Sequence, residues 1–299
     1  VRSTSKAGDI AYPHFRRRPS RWSGPWRFIR TKPTGAVGLL IFLVLCVTAL
    51  TASSLAPYDP TELHRGKLFT PPSPEFLLGT DNLGRDVLSR VIWGARISLY
   101  VGVLSVLFGT STGGLIGLLS AYIGGRFDLV VQRIMDVMMA FPLLILALAL
   151  VAALGASLNN VILAISIVTI PSTSRVIRST VLAIKERQYV EGARAIGATN
   201  TRILFHHVMP NSMAPFLIIA TAQLGNAILT EASLSFLGLG TPPPTPTWGG
   251  MLSGGAQYAA ETAPWLVMSP GLAISLVVYG VNMLGDAMRD VWDPRLRRG

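Results

Sequence analysis

Charge is scarce in this sequence. Only 14% of its 299 residues are Asp, Glu, Lys or Arg, half are apolar, and the mean hydropathy is +0.49. A water-soluble globule of this size needs more polar surface, so that class is excluded. Cysteine is nearly absent too. Cys46 stands alone inside an apolar block, so no internal disulfide can form and a small packing or lipid-facing role fits it. Catalytic signatures are missing: there is no Gly-x-Ser-x-Gly turn, no His-Glu-x-x-His helix and no cysteine pair. The only Gly-Lys pair, Gly66-Lys67, is followed by Leu68, so the chain has no phosphate-binding loop, and any ATP that drives it binds to another chain. His14, His64, His206 and His207 form no ligand set with acidic or cysteine partners, so no metal site is expected.

What is present is a series of apolar blocks, each long enough to cross a hydrocarbon core that takes about 20 helical residues. Six spans can be drawn, over 34–56, 97–123, 129–154, 160–183, 212–234 and 265–284. The first carries no charge and exceeds a secretion signal in length, so it is expected to stay in place as a signal anchor. The net charge of +11 would suggest nucleic acid in a soluble protein. Here it reads as membrane orientation, with lipid rather than nucleic acid as the surroundings. With both termini in the cytoplasm, five of the 26 basic residues fall outside, namely Arg65, Lys67, Arg85, Arg90 and Arg96, and acidic neighbours balance them. The 21 others fall inside. No Lys or Arg occurs between Arg202 and Arg289, as expected for two spans joined by an outer loop. That loop, 238–264, contains Pro242, Pro243, Pro244 and Pro246 and is expected to be a stiff external turn, with Trp248 and Trp265 at the membrane edges.

Several positions are candidates for mechanism. Ser105, Gly109, Gly113, Gly117, Ala121 and Gly125 recur every four residues and make a strip of small side chains on one face of the second span, suited to close packing inside the chain or to a subunit interface. Pro142 and Pro171 lie within the third and fourth spans and are expected to kink them. Asp136 sits one turn after Arg133, as an interfacial ion pair or a transport residue. Glu231, near the outer end of the fifth span, fits either a lining role in a path or a buried structural hydrogen bond.

The segment 185–210 is far longer than two antiparallel spans need to connect them. It reads as two short helices. Tyr189, Ala193 and Ile196 share a face of the first, Gly197 is placed to end it as a left-handed cap, and Thr199 can cap the second. The second presents Ile203, Leu204 and Phe205 before Pro210 opens the fifth span. Those side chains suit either a groove on a partner protein or the bilayer surface.

At this segment the sequence resembles the permeases of bacterial binding-protein-dependent ABC importers, whose signature is Glu-Ala-Ala, three residues, Gly, nine residues, then Ile-x-Leu-Pro. Here Glu191, Ala193, Gly197 and Pro210 match, while Gly192, His207 and Met209 depart from it. The strings LGTDNLGRDVLSR (78–90), YVEGARAIGA (189–198), TEASLSFLGLG (230–240), PPTPTWGGML (243–252) and DPRLR (293–297) are similar to the dipeptide and oligopeptide permeases of the C type.

The resemblance implies an all-α membrane protein with the six-span type I importer fold. It further implies a homologous B-type permease, two ATPase subunits that hold ATP and Mg, and an extracytoplasmic peptide-binding protein, with no cofactor on this chain. In that family a cytoplasmic helix enters a cleft of the ATPase. Carried over, Glu191 anchors the loop beside Ala193, Gly197 sets the bend, and Thr199, Arg202, Ile203, Leu204 and Phe205 form the coupling helix ahead of Pro210. The implied organisation is a basic tail (1–33), a first span with an external loop (34–95), a core (96–287) that contains the coupling loop (184–210), and a closing tail (288–299). A same-family permease for nickel or another small solute, an ion-gradient-driven carrier and a non-transporting membrane scaffold are the competing readings.

Overall fold

The computed structural model describes residues 32–258 and 262–292. The tail residues before Lys32 and the string at 293–297 lie outside this range. Eleven α-helices follow one another among the described residues, with one isolated β-bridge, Thr80 to Asp86, and no named strand. They are α1 (Pro33–Leu50), α2 (Ala52–Leu55), α3 (Val87–Ile123), α4 (Gly125–Met139), α5 (Leu143–Leu154), α6 (Leu158–Lys185), α7 (Gln188–Ala195), α8 (Asn200–Ile203), α9 (Met209–Phe236), α10 (Trp248–Ala256) and α11 (Trp265–Trp292). A π-helical turn, Leu204–Val208, joins α8 to α9. Five helices, α1, α3, α6, α9 and α11, are long and apolar enough to cross a membrane, and α4 with α5 makes a sixth span if the pair is counted as one.

The kink expected at Pro142 in the third span, 129–154, is a full break. The helix stops between Met139 and Leu143 and turns by 90°. Pro142 has no backbone N–H to give and adopts an extended conformation (φ −54°, ψ 131°), so it ends one helix and precedes the next. Pro171 behaves differently, because α6 runs unbroken past it.

The seam between α3 and α6 organises the molecule. A β-carbon added at Gly109, Gly113 or Gly117 would lie 2.7, 2.6 and 2.3 Å from the carbonyl oxygens of Ser166, Ile170 and Ser174. Both sets advance by four residues in the same direction, so the two helices run parallel. Small residues let the backbones meet, and hydroxyls fill the remaining polar space. Ser105 Oγ donates to the Ile162 carbonyl at 3.3 Å, and Ser166 Oγ donates to the Ser105 carbonyl at 3.3 Å and to the Ile162 carbonyl at 2.7 Å. The small-residue strip is thus occupied within the chain.

Two parallel neighbours need a return crossing between them, which is the part that α4 and α5 play. The remaining registers are antiparallel. Along α3 and α9, Ser98 pairs with Glu231, Gly102 packs on Ile228 and Gly114 packs on Phe216. On α11, Asn282 faces Gly225, and Gly285 faces Thr221 of α9. Finally Gly38 of α1 meets the backbone of Gly280 and Leu284, and Lys32 pairs with Asp290 at 2.5 Å. These directions put Lys32, Asp290 and the 185–210 segment at one end of the bundle.

The far end is closed by a knot of loop. Asp81 accepts from the backbone N–H of Leu83 (2.8 Å) and Arg85 (2.9 Å) and from Arg85 Nε (2.7 Å), while Asp86 caps α3 through the Ser89 N–H at 2.8 Å. Arg90, largely buried, donates to the Pro60 carbonyl at 3.0 Å. Trp248, expected at a membrane edge, is turned into the protein: it is 1% exposed, and its indole N–H donates to the Val91 carbonyl at 2.9 Å beside the bare face of Gly94. Trp265 likewise donates to the Thr80 carbonyl at 3.2 Å. The stretch expected as a stiff turn therefore contains a helix, α10, capped by Thr247, which accepts from the Gly250 N–H at 3.1 Å.

Candidate functional site

Local sequence explains the shape of the 185–210 segment. Helix α7 ends at Ala195, and Gly197 takes φ +85°. Its N–H donates to the Arg194 carbonyl at 2.9 Å and that of Ala198 to the Ala193 carbonyl at 3.0 Å, the paired bonds that stop a helix on a left-handed residue. A β-carbon at 197 would meet no atom within 4 Å, so glycine is required by the backbone angle rather than by space. Thr199 then accepts from the Arg202 N–H at 3.4 Å and starts α8. Pro210 follows as the second residue of α9, directly after the π-helical turn Leu204–Val208, so a residue without an N–H stands where the helical ladder is already irregular.

One side of the segment is sewn to the bundle. Val190, Ala193, Ile203 and Val208 are buried against Leu118, Ala121, Ile177, Val181 and Ile184. Lys185 Nζ donates to the carbonyls of Ala121 (2.8 Å) and Tyr122 (3.1 Å), the unpaired end of α3, and the Tyr122 hydroxyl donates to the Asn200 carbonyl at 2.5 Å. The other side is open. Glu191 is exposed and makes no ion pair among the described residues, Ile196 is 87% exposed and Phe205 55%. Two expectations change as a result. Ala193 faces inward while Tyr189 and Ile196 face outward, and Ile203, fully buried, supports the segment from within instead of being displayed. Leu204 is half-buried, and Arg202 is exposed.

The four positions considered for a path do not come together. Asp136 accepts from Arg175 of α6 at 2.6 Å, a closer partner than Arg133 at 4.0 Å. Pro142 marks the bend, and Pro171 is buried in α6. Glu231 is buried at the other end of α3, accepting from Ser98 Oγ at 3.0 Å and Ser235 Oγ at 2.7 Å. An apolar cavity of about 310 Å3 opens instead between α3 and the start of α9, lined by Gly114, Leu115, Leu118, Met209, Met213 and Phe216. Asp128 and Arg178 are a bidentate pair that sequence reading missed, although both flank apolar blocks where an unpaired charge is costly. Among the described residues no group of three side chains is arranged to hold a metal.

With this geometry in view, residues 113–298 match the profile of the binding-protein-dependent transport system inner membrane components. Residues 20–72 match that of the N-terminal membrane domain of oligopeptide transport permease C. The chain belongs to this permease family. The permease is 47% identical over 270 residues to the di/tripeptide transport system permease protein DppC of Pseudomonas aeruginosa, covering 88% of this chain and 89% of that one. It is 42% identical over 283 residues to the dipeptide transport system permease protein DppC of Alkalihalophilus pseudofirmus, covering 93% and 91%. It is also 42% identical over 278 residues to the glutathione transport system permease protein GsiD of Pectobacterium atrosepticum, covering 92% of each. Among solved structures, an inward-facing MetNI methionine ABC transporter aligns with a TM-score of 0.58 at 18% identity, over 68% of the permease and 95% of that chain. That likeness supports the type I importer fold. The permease is accordingly a multi-pass membrane component of a transport system and not a catalytic subunit.

Proposed function

We propose that this permease is the C-type membrane subunit of an ATP-driven importer of di- and oligopeptides in the bacterial inner membrane. It lines half of the path together with a homologous B-type subunit, receives peptide from an external binding protein, and docks on an ATPase pair through the 191–210 loop. The observation that carries this reading is the two-sided loop: buried Val190, Ala193, Ile203 and Val208 tie it to the helices, while exposed Glu191, Ile196 and Phe205 face away from the chain. A loop held this firmly transmits displacement with little slack. Closure of the ATPases on ATP would then move it as a rigid body and tip the bundle from inward to outward facing.

Relatives named for dipeptides and for glutathione both favour short peptides over nickel or another small solute. An ion-gradient carrier is disfavoured because Glu231 is engaged with two serines and Asp136 with Arg175. The test is uptake in vesicles containing the reconstituted complex. Glu191→Lys combined with Gly197→Pro is expected to abolish ATP-dependent peptide uptake and retention of the ATPase, and uptake that survives this pair rejects the reading.

A further inference from the structure

Helix α4 has its polar side turned toward the protein. Asp128, Gln132 and Asp136 recur every four residues on one face; Asp128 and Gln132 are half-buried against α3 and α6 and Asp136 is exposed but bonded to α6, whereas Phe127, Val130, Ile134 and Val137 are exposed without such partners and only Met135 is buried. Its attachment to the bundle is therefore largely polar. Asp128 accepts two hydrogen bonds from Arg178 of α6, at 2.7 and 2.6 Å, and one from Ser120 of α3 at 2.5 Å. Gln132 Nε2 donates to Ser120 Oγ at 3.1 Å. Two turns along, Arg175 of α6 reaches Asp136 at 2.6 Å. Planar guanidinium on carboxylate with two parallel bonds fixes angle as well as distance. The same α6 leads at Lys185 into the 185–210 segment, through the contacts of Lys185 and Tyr122 already described.

We infer that the Asp128–Arg178 and Asp136–Arg175 pairs are a two-point latch that makes α4 travel with α6, so that displacement of the 185–210 loop reaches the bent α4–α5 span. This inference rests on the proposed docking of that loop to the ATPases. Asp128 and Arg178 act as positioning residues, each acting through the other and through Ser120 of α3. Without them α4 keeps little apolar contact with its own chain and is free to lag behind α6.

The test uses the full complex with its binding protein in liposomes, measuring peptide taken up per ATP hydrolysed. Asp128→Asn and Arg178→Gln are each expected to leave assembly and stimulated hydrolysis within about twofold while lowering uptake per ATP about tenfold, in the usual range of a coupling energy. The double variant is expected to lose no more than the worse single one, because both changes break one pair. The charge-exchanged pair, Asp128→Arg with Arg178→Asp, is expected to recover part of the loss. An unchanged ratio of uptake to hydrolysis overturns the latch, as do losses that multiply in the double variant or variants that fail to assemble, which would mark a purely structural role. Should the unmodified complex show no ATPase bound to the loop, the docking reading itself fails. If the unmodified complex couples and the variants keep its ratio, the latch alone fails.

Discussion

Gly117 of α3 and Ser174 of α6 approach so closely that a β-carbon at 117 would lie 2.3 Å from the Ser174 carbonyl oxygen. The obstructing atom is backbone, inside a helix, and has no rotamer through which to escape. Gly113 stands in the same relation to the Ile170 carbonyl. At 113 and 117 the seam thus tolerates no side chain on α3 unless the two helices separate.

Gly117→Val is therefore expected to destabilise the detergent-solubilised protein by about 1–3 kcal/mol or more, as overpacking does. Gly192, on exposed α7, has nothing within 4 Å of an added β-carbon. Gly192→Ala, which restores the family signature at this position, is expected to be neutral or to stabilise by about 0.5–1 kcal/mol. Thermal unfolding of both variants checks the contrast, and equal midpoints would show that the seam is looser than the geometry states.

Glu231 is the second case. Its carboxylate is the shared acceptor of Ser98 and Ser235 across α3 and α9. Glu231→Gln keeps an acceptor oxygen and should retain uptake within a few-fold. Glu231→Ala leaves the Ser98 hydroxyl without its partner and is expected to cost about 1–3 kcal/mol. Full stability combined with abolished uptake in Glu231→Gln would instead assign the charge itself to transport.

Much of this was legible in the sequence because it depends on local spacing. The four-residue strip at 109, 113 and 117, the left-handed stop at Gly197 and the cap at Thr199 each follow from neighbours along the chain. What was hidden depends on partners distant in sequence. Arg178 and Asp128 are 50 residues apart, Trp248 and Val91 are 157, and Lys32 and Asp290 are 258. Proline illustrates the limit, since Pro142 breaks a span and Pro171 does not. For Trp248 a rule about membrane edges could not reveal the Gly94 recess and the Val91 carbonyl that hold its indole.

That recess makes a third prediction. Trp248→Ala removes a nearly fully buried indole, and loss of such a side chain costs about 3–5 kcal/mol through the cavity left behind. Trp248→Phe keeps most of the volume but abandons the Val91 carbonyl, so its loss should be intermediate. Unfolding midpoints in the order native, Phe, Ala are expected. A Phe variant as weak as Ala would mean that the hydrogen bond, rather than the filled space, secures α10 to α3.

The two sides of the 185–210 loop should separate stability from docking. Ile203 is fully buried with Val190, Ala193 and Val208, so Ile203→Ala is expected to lower the stability of the isolated chain by about 2–5 kcal/mol. Ile196 and Phe205 are open to solvent and touch little of their own chain, so Ile196→Asp and Phe205→Ala should leave unfolding unchanged within about 0.5 kcal/mol. If those side chains insert into an ATPase cleft, each acts as an anchor residue whose removal costs about 2 kcal/mol or more of binding, close to thirtyfold in affinity. Measuring unfolding and ATPase retention on the same preparations gives opposite patterns for the two sets. Should Ile196→Asp and Phe205→Ala bind the ATPase as tightly as the native chain, the exposed ridge would be a bilayer-facing surface and the docking contact would have to lie elsewhere.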